Sequence, residues 1–357
     1  MARKLGIGLE YEEVRPSQNL TSLPYLTFMQ CIINRRAQFS ASHRYWLPEL
    51  SEAENFERFG PTARAPGHGH NYVLYVSMIG ELDEYGMVLN LSDVKHVIKR
   101  EVTKDLDFSF LNEAWPEFEQ TLPTTENIAR QIWLRLAPHL PVTKIQLFEH
   151  PELWAEYLGN GMEAYLTLST HFSAAHRLAR PDLSFEENSE IYGKCARPNG
   201  HGHNYHLEVT VKGEIDPRTG MIADLGALQK AVDDYVVELF DHSFLNKDIA
   251  YFEKVVPTAE NIAVRIGQLL LAPVRELGAE LHKIKLIESP NNSCEIYGAD
   301  LEEVATERQQ PETVLAGVRS QKSGRLGRVH PHIWLIVQIG EPRPTSLMMI
   351  PRVIQPH

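Results

Sequence analysis

Two sets of three histidines recur along this 357-residue chain at the same spacing. His43 is followed 25 residues later by His68, with His70 two residues on; His176 is followed at the same interval by His201, and then His203. In an extended strand residues i and i+2 share a face, so each His-x-His pair can aim two imidazoles at one point. The remaining histidine of each set ends an apolar, strand-like segment (YLTLSTHFSAAH in the second), and a neighbouring strand would bring it to the same face. Three neutral imidazoles with an open fourth position are the ligand set of a catalytic zinc ion, whereas structural sites close with four ligands, often cysteine. A lone His-x-His is as readily a pair of surface or hydrogen-bonded histidines. Duplication of the whole set favours zinc. A third pair, His330 and His332, has no further ligand near it and is assigned no metal.

The second set has chemistry around it. Cys195 lies six residues before His201 in the loop YGKCARPNG, with Lys194 and Arg197 beside it. A cysteine flanked by cations and a metal is favoured as thiolate. Asp241 and His242 adjoin after a helical stretch and form a candidate acid/base pair. The first set has Thr62 in place of Cys195 and Phe108 in place of His242. Both proton-transfer candidates are lost together while all three candidate ligands stay, the pattern expected if metal binding and proton transfer are separable. Glu149 (LFEHPEL) and Glu288 (LIESPNN) stand at equivalent strand ends, each suited to accept a paired N–H edge. Glu126 and Glu260 follow Thr124 and Thr258 and are expected to cap helices.

These coincidences are parts of a larger repeat. FSASHR at 39–44 recurs as FSAAHR at 172–177, and GHGHNY at 67–72 as GHGHNY at 200–205. DFSFLN and PTTENIA in the first half match DHSFLN and PTAENIA in the second. A period near 134 residues is too long for a solenoid unit, so a whole domain is duplicated in tandem. The expected division is a flexible leader over 1–31, a first repeat over 32–159, a second over 164–300, and a poorly ordered tail over 303–357. The joint falls at Leu158–Glu163 (LGNGME), and the tail has one candidate strand at Ile333–Ile339.

Within the second repeat, HLEVTVKGEI at 206–215 alternates as a half-buried strand. DPRTG has turn chemistry. LGALQKAVDDYVVELF at 225–240 places Leu228, Val232, Tyr235, Val236 and Leu239 at helical spacing, and Thr258 is a plausible N-cap for a second helix. KIKLIES and SCEIYG alternate again. Each unit is therefore α+β: a four-stranded antiparallel sheet with two helices on one face.

Composition sets outer bounds. Hydrophobic residues are 43% and charged residues 23% of the chain, enough apolar content to exclude disorder throughout. The most apolar window, IWLIVQI, is far short of the ~20 residues of a transmembrane helix, and no secretory leader is visible. A net charge of −12 argues against general nucleic-acid binding. Three cysteines (Cys31, Cys195, Cys294) make no disulfide framework, which fits a cytoplasmic protein.

The second repeat closely resembles the 6-pyruvoyl-tetrahydropterin synthase family, which includes the 6-carboxytetrahydropterin synthases of queuosine biosynthesis. The resemblance rests on FSAAH, GKCARPNGHGHNY, VTVKGEIDPRTGMIADL, DHSFLN, PTAENIA and IESPNN. It implies the tunnelling fold (T-fold), with units assembled into rings and sites at subunit interfaces. It also implies Zn²⁺ on His176, His201 and His203, proton transfer by Cys195, Asp241 and His242, and a pterin ring anchored by Glu288. The first repeat resembles the same family over about 36–159, with His43, His68 and His70 as its ligands and Glu149 as its anchor. Its Thr62 and Phe108 put its catalysis in doubt.

The implied substrate is 7,8-dihydroneopterin triphosphate and the implied product 6-pyruvoyl-tetrahydropterin, by elimination of triphosphate. Lys194 and Arg197 are positioned as phosphate contacts. The spacing Cys-x5-His-x-His favours the pyruvoyl product over the 6-carboxy-tetrahydropterin alternative, and a non-catalytic zinc or pterin scaffold is the second alternative. The resemblance further implies a homo-oligomer, with a trimer of tandem chains reaching the unit count of a family hexamer.

Overall fold

The computed structural model describes residues 30–309. Two 14-residue strands open each repeat. β1 (Gln30–His43) and β2 (His68–Glu81) run antiparallel from Gln30↔Glu81 to His43↔His68. On β2 the buried residues Tyr72, Leu74, Val76 and Met78 alternate with more exposed ones, the period-2 signature of a sheet with one covered face. β3 (Val142–His150) and β4 (Leu153–Tyr157) complete the first sheet. The second repeat supplies β5 (Glu163–His176), β6 (His201–Glu214), the short β7 (Ser243–Phe244), β8 (Glu280–Ser289) and β9 (Asn292–Tyr297).

The four antiparallel strands expected per repeat are present, and the two sets join. β4 pairs with β5 from Leu153↔Leu168 to Glu156↔Tyr165, so one sheet runs β1-β2-β3-β4-β5-β6-β8-β9, with β7 added in parallel to β5. The glycine-rich segment between the repeats is the turn of this hairpin, with Gly159 and Gly161 at positive φ. A single apolar core spans both repeats, and a smaller cluster joins Tyr45, Leu47, Phe59, Ala63 and Leu122 of repeat one to Met221 of repeat two.

Two longer helical segments cover the sheet in each repeat. The first begins at Leu91 or Leu225, and each contains a π turn, Lys99–Thr103 or Asp233–Val237. The extra residue in that turn rotates the downstream residues relative to the core. For this reason Leu228, Val232, Val236 and Phe240 are buried, while Tyr235 and Leu239, expected on the core face, are exposed. The second helices, Thr125–Leu136 and Ala259–Glu276, are capped by Thr124 and Thr258, whose side chains accept from Asn127 N and Asn261 N.

Several expectations change. A short helix precedes each His-x-His strand, Glu52–Phe59 and Phe185–Tyr192, each opened by a capping box, Ser51/Glu54 and Ser184/Glu187. The leader is expected to run through residue 31, but Gln30 and Cys31 already pair in β1. The tail is expected from Glu303, but a helix occupies Gly298–Gln309, with Leu301 packed toward Gly267. The candidate strand Ile333–Ile339 and the pair His330/His332 lie outside the described residues. Among the described residues no helix is long and apolar enough to cross a membrane.

Candidate metal centres and active site

The strand register brings each histidine set together. His43 and His68 are cross-strand partners at the end of β1–β2, with His70 two residues along; His176, His201 and His203 repeat this on β5–β6. Imidazole centroids lie 4.6, 5.1 and 4.9 Å apart in repeat one and 4.5, 5.1 and 4.9 Å apart in repeat two. In both repeats the candidate ligand atoms all fall within 4.8 Å of one another.

The surroundings prepare these rings to donate lone pairs. His43 Nδ1 lies 3.1 Å from Pro123 O, and His176 Nδ1 lies 2.8 Å from Pro257 O. A carbonyl only accepts, so each Nδ1 carries the proton and each Nε2 presents a lone pair. The first histidine's Nε2 then meets its partner's Nε2 at 3.1 Å in both repeats. Burial pushes His43, His70 and His176 down to about 4, so they are neutral at pH 7. Nε2 of His70 and of His203 is buried without a hydrogen-bond partner among the described residues. Converging lone pairs and an orphaned buried nitrogen are what a cation between the rings would satisfy, so the donors present fit a metal ion.

The two centres differ in their carboxylate. Glu149 is buried, with Oε1 3.3 Å from His70 Nε2 though without hydrogen-bond geometry, and it belongs to the repeat-one donor group. Thr125 Oγ1 donates to its other oxygen at 2.5 Å. Glu288 stays farther out, 3.7 Å from His203 Nε2 and 3.9 Å from His176 Nε2, and lies outside the repeat-two donor group. Ala259 stands where Thr125 would donate, and among the described residues no hydrogen bond reaches the carboxylate of Glu288. Sequence reasoning misses Glu149 as a potential fourth ligand. The Thr125/Ala259 difference within PTTENIA and PTAENIA is the signal that could have found it.

Cys195 lies half-buried in the tight turn Gly193–Ala196, its carbonyl accepting from Leu178 N at 2.9 Å. Lys194 and Arg197 are exposed, and neither forms an ion pair among the described residues. Asp241 and His242 do meet, with His242 Nδ1 2.8 Å from Asp241 Oδ2. Asp241 Oδ1 also accepts from Ser173 N at 2.8 Å, and Asp107 accepts from Ser40 N at 2.9 Å in repeat one. The aspartate therefore anchors its loop in both repeats, whichever residue comes after it. The His242 side chain is 83% exposed and shares a shallow depression with His203. No hydrogen bond joins Cys195 to His242 among the described residues. Phe108, in the place of His242, is 90% exposed, and both residues hold the left-handed conformation, φ 57° and 56°.

Among the described residues neither Glu126 nor Glu260 closes the cap expected of it, because each stands at the second helical position while Asn127 and Asn261 hold the third. Glu126 is buried, and its Oε1 accepts the Ile222 N–H of repeat two at 3.0 Å, because the repeat-two segment 220–225 lies across it. That segment also walls a cavity of roughly 710 Å³ lined by Tyr45, Thr62, His150, Met221 and Leu225, among others. Glu260, its counterpart, is exposed.

The sequence profile described as 6-pyruvoyl tetrahydropterin synthase matches this chain twice, over residues 32–160 and 165–299. The chain belongs to the 6-pyruvoyl tetrahydropterin synthase family. The human 6-pyruvoyl tetrahydrobiopterin synthase is 46% identical over 134 residues, 38% of this chain and 91% of that protein. The Drosophila melanogaster protein of the same name is 42% identical over 135 residues, 38% of this chain and 80% of that protein. A putative 6-carboxy-5,6,7,8-tetrahydropterin synthase of Archaeoglobus fulgidus is 31% identical over 134 residues, 38% of this chain and 96% of that protein. The solved 6-pyruvoyl tetrahydropterin synthase of Caenorhabditis elegans is 38% identical, covering 39% of this chain and 97% of its own, with a TM-score of 0.37. As a family member with two such units, the chain has the T-fold, α+β architecture seen in its antiparallel sheet and covering helices.

Proposed function

We propose that repeat two is a zinc-dependent lyase that converts 7,8-dihydroneopterin triphosphate to 6-pyruvoyl-tetrahydropterin with release of triphosphate. The observation that carries this reading is the open three-histidine centre of repeat two, with the orphaned Nε2 of His203 beside a carboxylate that has no hydrogen-bond donor among the described residues. His176, His201 and His203 would hold the metal, which when bound supplies Lewis acidity toward the substrate's side-chain oxygens. Glu288 accepts the paired N–H edge of the pterin ring. Cys195 Sγ, as thiolate, removes a carbon-bound proton. His242, oriented through Nδ1 by Asp241, exchanges protons at its exposed Nε2. Lys194 and Arg197, exposed beside Cys195, are available to the triphosphate.

The higher identity to proteins named pyruvoyl synthases, 46% against 31% for the carboxy-type protein, favours the pyruvoyl product. Repeat one, lacking the cysteine and the histidine, binds metal without turnover. Incubating the zinc-loaded chain with 7,8-dihydroneopterin triphosphate and analysing products by mass spectrometry tests the proposal. The pyruvoyl product supports it. The carboxy product with acetaldehyde transfers the chain to the other branch, and absence of product makes it a scaffold.

A further inference from the structure

The two repeats build the same rigid corner behind the first histidine and line it with opposite charge. In repeat one the buried Asn55 fixes the loop after β1, its side chain accepting from Leu47 N and donating to Leu47 O, Leu50 O and Ser51 O. Asn188, also buried, does the same for Arg180, Leu183 and Ser184 after β5. Asn112 and Asn246 clamp the backbone of Arg44 and Arg177. Each of these arginines is held through Nε, which donates to Ala63 O at 2.7 Å or to Ala196 O at 2.8 Å. In repeat one the guanidinium is also covered, by the Trp46 ring at 3.8 Å. Ala179 stands in place of that tryptophan in repeat two, and there Arg177 and Ala179 line a cavity of roughly 330 Å³.

Four further exchanges set the character of this cavity. Arg180 replaces Leu47, Phe185 replaces Glu52, Lys247 replaces Glu113 and Lys254 replaces Gln120. All four line it, so Arg177, Arg180, Lys247 and Lys254 face a single lining acid, Glu253. The equivalent positions of repeat one hold Arg44 against Glu52, Glu113 and Glu119. A chain of net charge −12 thus gathers cations at this corner. They are available to a ligand. Arg177 and Lys254 form no ion pair among the described residues, and Lys247 lies 4.9 Å over the ring of Phe244. Asp248, next to Lys247, already accepts the Phe244 N–H at 2.6 Å. Arg180 pairs with Asp182, but both side chains are more than half exposed, and such a pair is weak. The rest of the wall is apolar, with Phe185, Phe244 and Phe252 its largest groups.

We infer that this corner of repeat two is a second ligand site, built for a small phosphate ester with a flat apolar body. The guanidinium fork of Arg177, already held through Nε, and the ammonium groups of Lys247 and Lys254 take the phosphoryl oxygens. The phenylalanines take the flat body. The volume is at the small end of ligand cavities, about 300–1,000 Å³, which suits one or two rings. The site is separate from the centre proposed to perform catalysis, since none of Cys195, His201, His203, His242 and Glu288 lines it. It lies behind that centre: Arg177 follows His176, and Val255, which lines the cavity, stands two residues before Pro257, whose carbonyl accepts from His176 Nδ1. The ligand binds here whatever reaction that centre performs.

Phenyl phosphate carries both features and little else. Followed by saturation-transfer NMR on the full chain, it should bind at about millimolar affinity, with transfer to its ring protons. Inorganic phosphate, lacking the ring, should compete about tenfold more weakly. Lys247→Glu with Lys254→Gln installs the repeat-one residues at two exposed positions and should weaken binding about tenfold or more. Ala179→Trp refills the corner and should abolish binding. Circular dichroism should be native in both variants, since repeat one folds with these residues. Lys194→Ala, beside Cys195, should leave the affinity unchanged. Absence of transfer well above millimolar phenyl phosphate overturns the inference, as does undiminished binding in the lysine pair or in folded Ala179→Trp. Binding that is lost in Lys194→Ala and kept in the lysine pair places the anion at the catalytic centre and overturns it as well. Inorganic phosphate competing as strongly as phenyl phosphate refutes the role given to the phenylalanines.

Discussion

Repeat one and repeat two place three histidines with nearly the same geometry, yet they differ in the setting of the carboxylate and in two of the side chains proposed to move protons. In repeat one the carboxylate Glu149 is drawn in beside the imidazoles and held by Thr125, giving a four-donor group. In repeat two Glu288 stands back and the donor group has three members. Four donors close a centre and three leave a position for substrate. The same contrast runs through Thr62 against Cys195 and Phe108 against His242. What persists in both is what folds the loop: the aspartate accepting a β-strand N–H, and the left-handed residue after it. The side chains that position the loop are kept, and the two that differ, Cys195 and His242, are those proposed to move protons.

The largest effect expected from breaking this contrast is on turnover. Cys195→Ala should lower kcat on 7,8-dihydroneopterin triphosphate by about 10²–10⁴-fold with zinc content unchanged. Thr62→Ala should leave both unchanged, since Thr62 Oγ1 donates only to Phe59 O within its own turn. Steady-state kinetics with metal analysis checks the pair. Retained turnover in Cys195→Ala would remove it as the base.

Next is the joint. In the metal-free protein, burial raises Glu126 to about 7 from an ordinary 4.5, so the fold favours its protonated form. The native state then holds a proton that the unfolded chain releases between these values. Stability from this group is full below about pH 4.5 and lost as pH rises through 7. At about 1.4 kcal/mol per pKa unit the loss is a few kcal/mol at most. Glu126→Gln keeps an acceptor for the Ile222 N–H and removes the titration. Urea unfolding of chelated protein at pH 5 and pH 8 should show a midpoint that rises less in the native chain than in the variant, because His43, His70 and His176, neutral in the fold but protonated in the unfolded chain at pH 5, add stability with rising pH in both and Glu126 opposes it only in the native chain.

A smaller effect separates the two carboxylates. Glu149→Gln should weaken metal retention in repeat one by about 10–100-fold, the usual cost of disturbing a group that supports the ligands. Glu288→Gln should leave retention intact and raise KM. Competition with a chelator, followed as metal equivalents per chain, distinguishes a four-donor from a three-donor centre.

Much of the fold and of the candidate site is legible in the residues alone, for physical reasons. The histidine sets are legible because i, i+2 spacing on a strand is a geometric constraint, and duplication removes coincidence. The Thr124 and Thr258 caps are legible because capping is local. The short helices at Glu52 and Phe185 carry the same kind of signal in Ser51/Glu54 and Ser184/Glu187, but no apolar stripe draws attention to it. The exposure of Tyr235 and Leu239 is not legible, because a π turn leaves no periodic trace and shifts every later residue. Nor are the contact of Glu126 with Ile222 or the fusion of the two sheets. Both depend on pairing between segments far apart in sequence, and a Gly-containing joint reads equally well as a linker or a hairpin.

The smallest predicted effect concerns the residue after the aspartate that both repeats share. Phe108 and His242 both sit at positive φ, a conformation that costs a side-chain-bearing residue energy and costs glycine none. Glycine also has more unfolded-state freedom to lose, which offsets part of the gain. Phe108→Gly should therefore stabilise the chain by roughly 1 kcal/mol or less, read as a rise in Tm, and leave turnover untouched. His242→Gly should stabilise to a similar degree while losing turnover. If both variants gained stability and kept activity, the proton-transfer role of His242 would fall. If both lost stability, the strained loop would be held by contacts of these side chains, against the 90% exposure of Phe108 and the 83% exposure of His242.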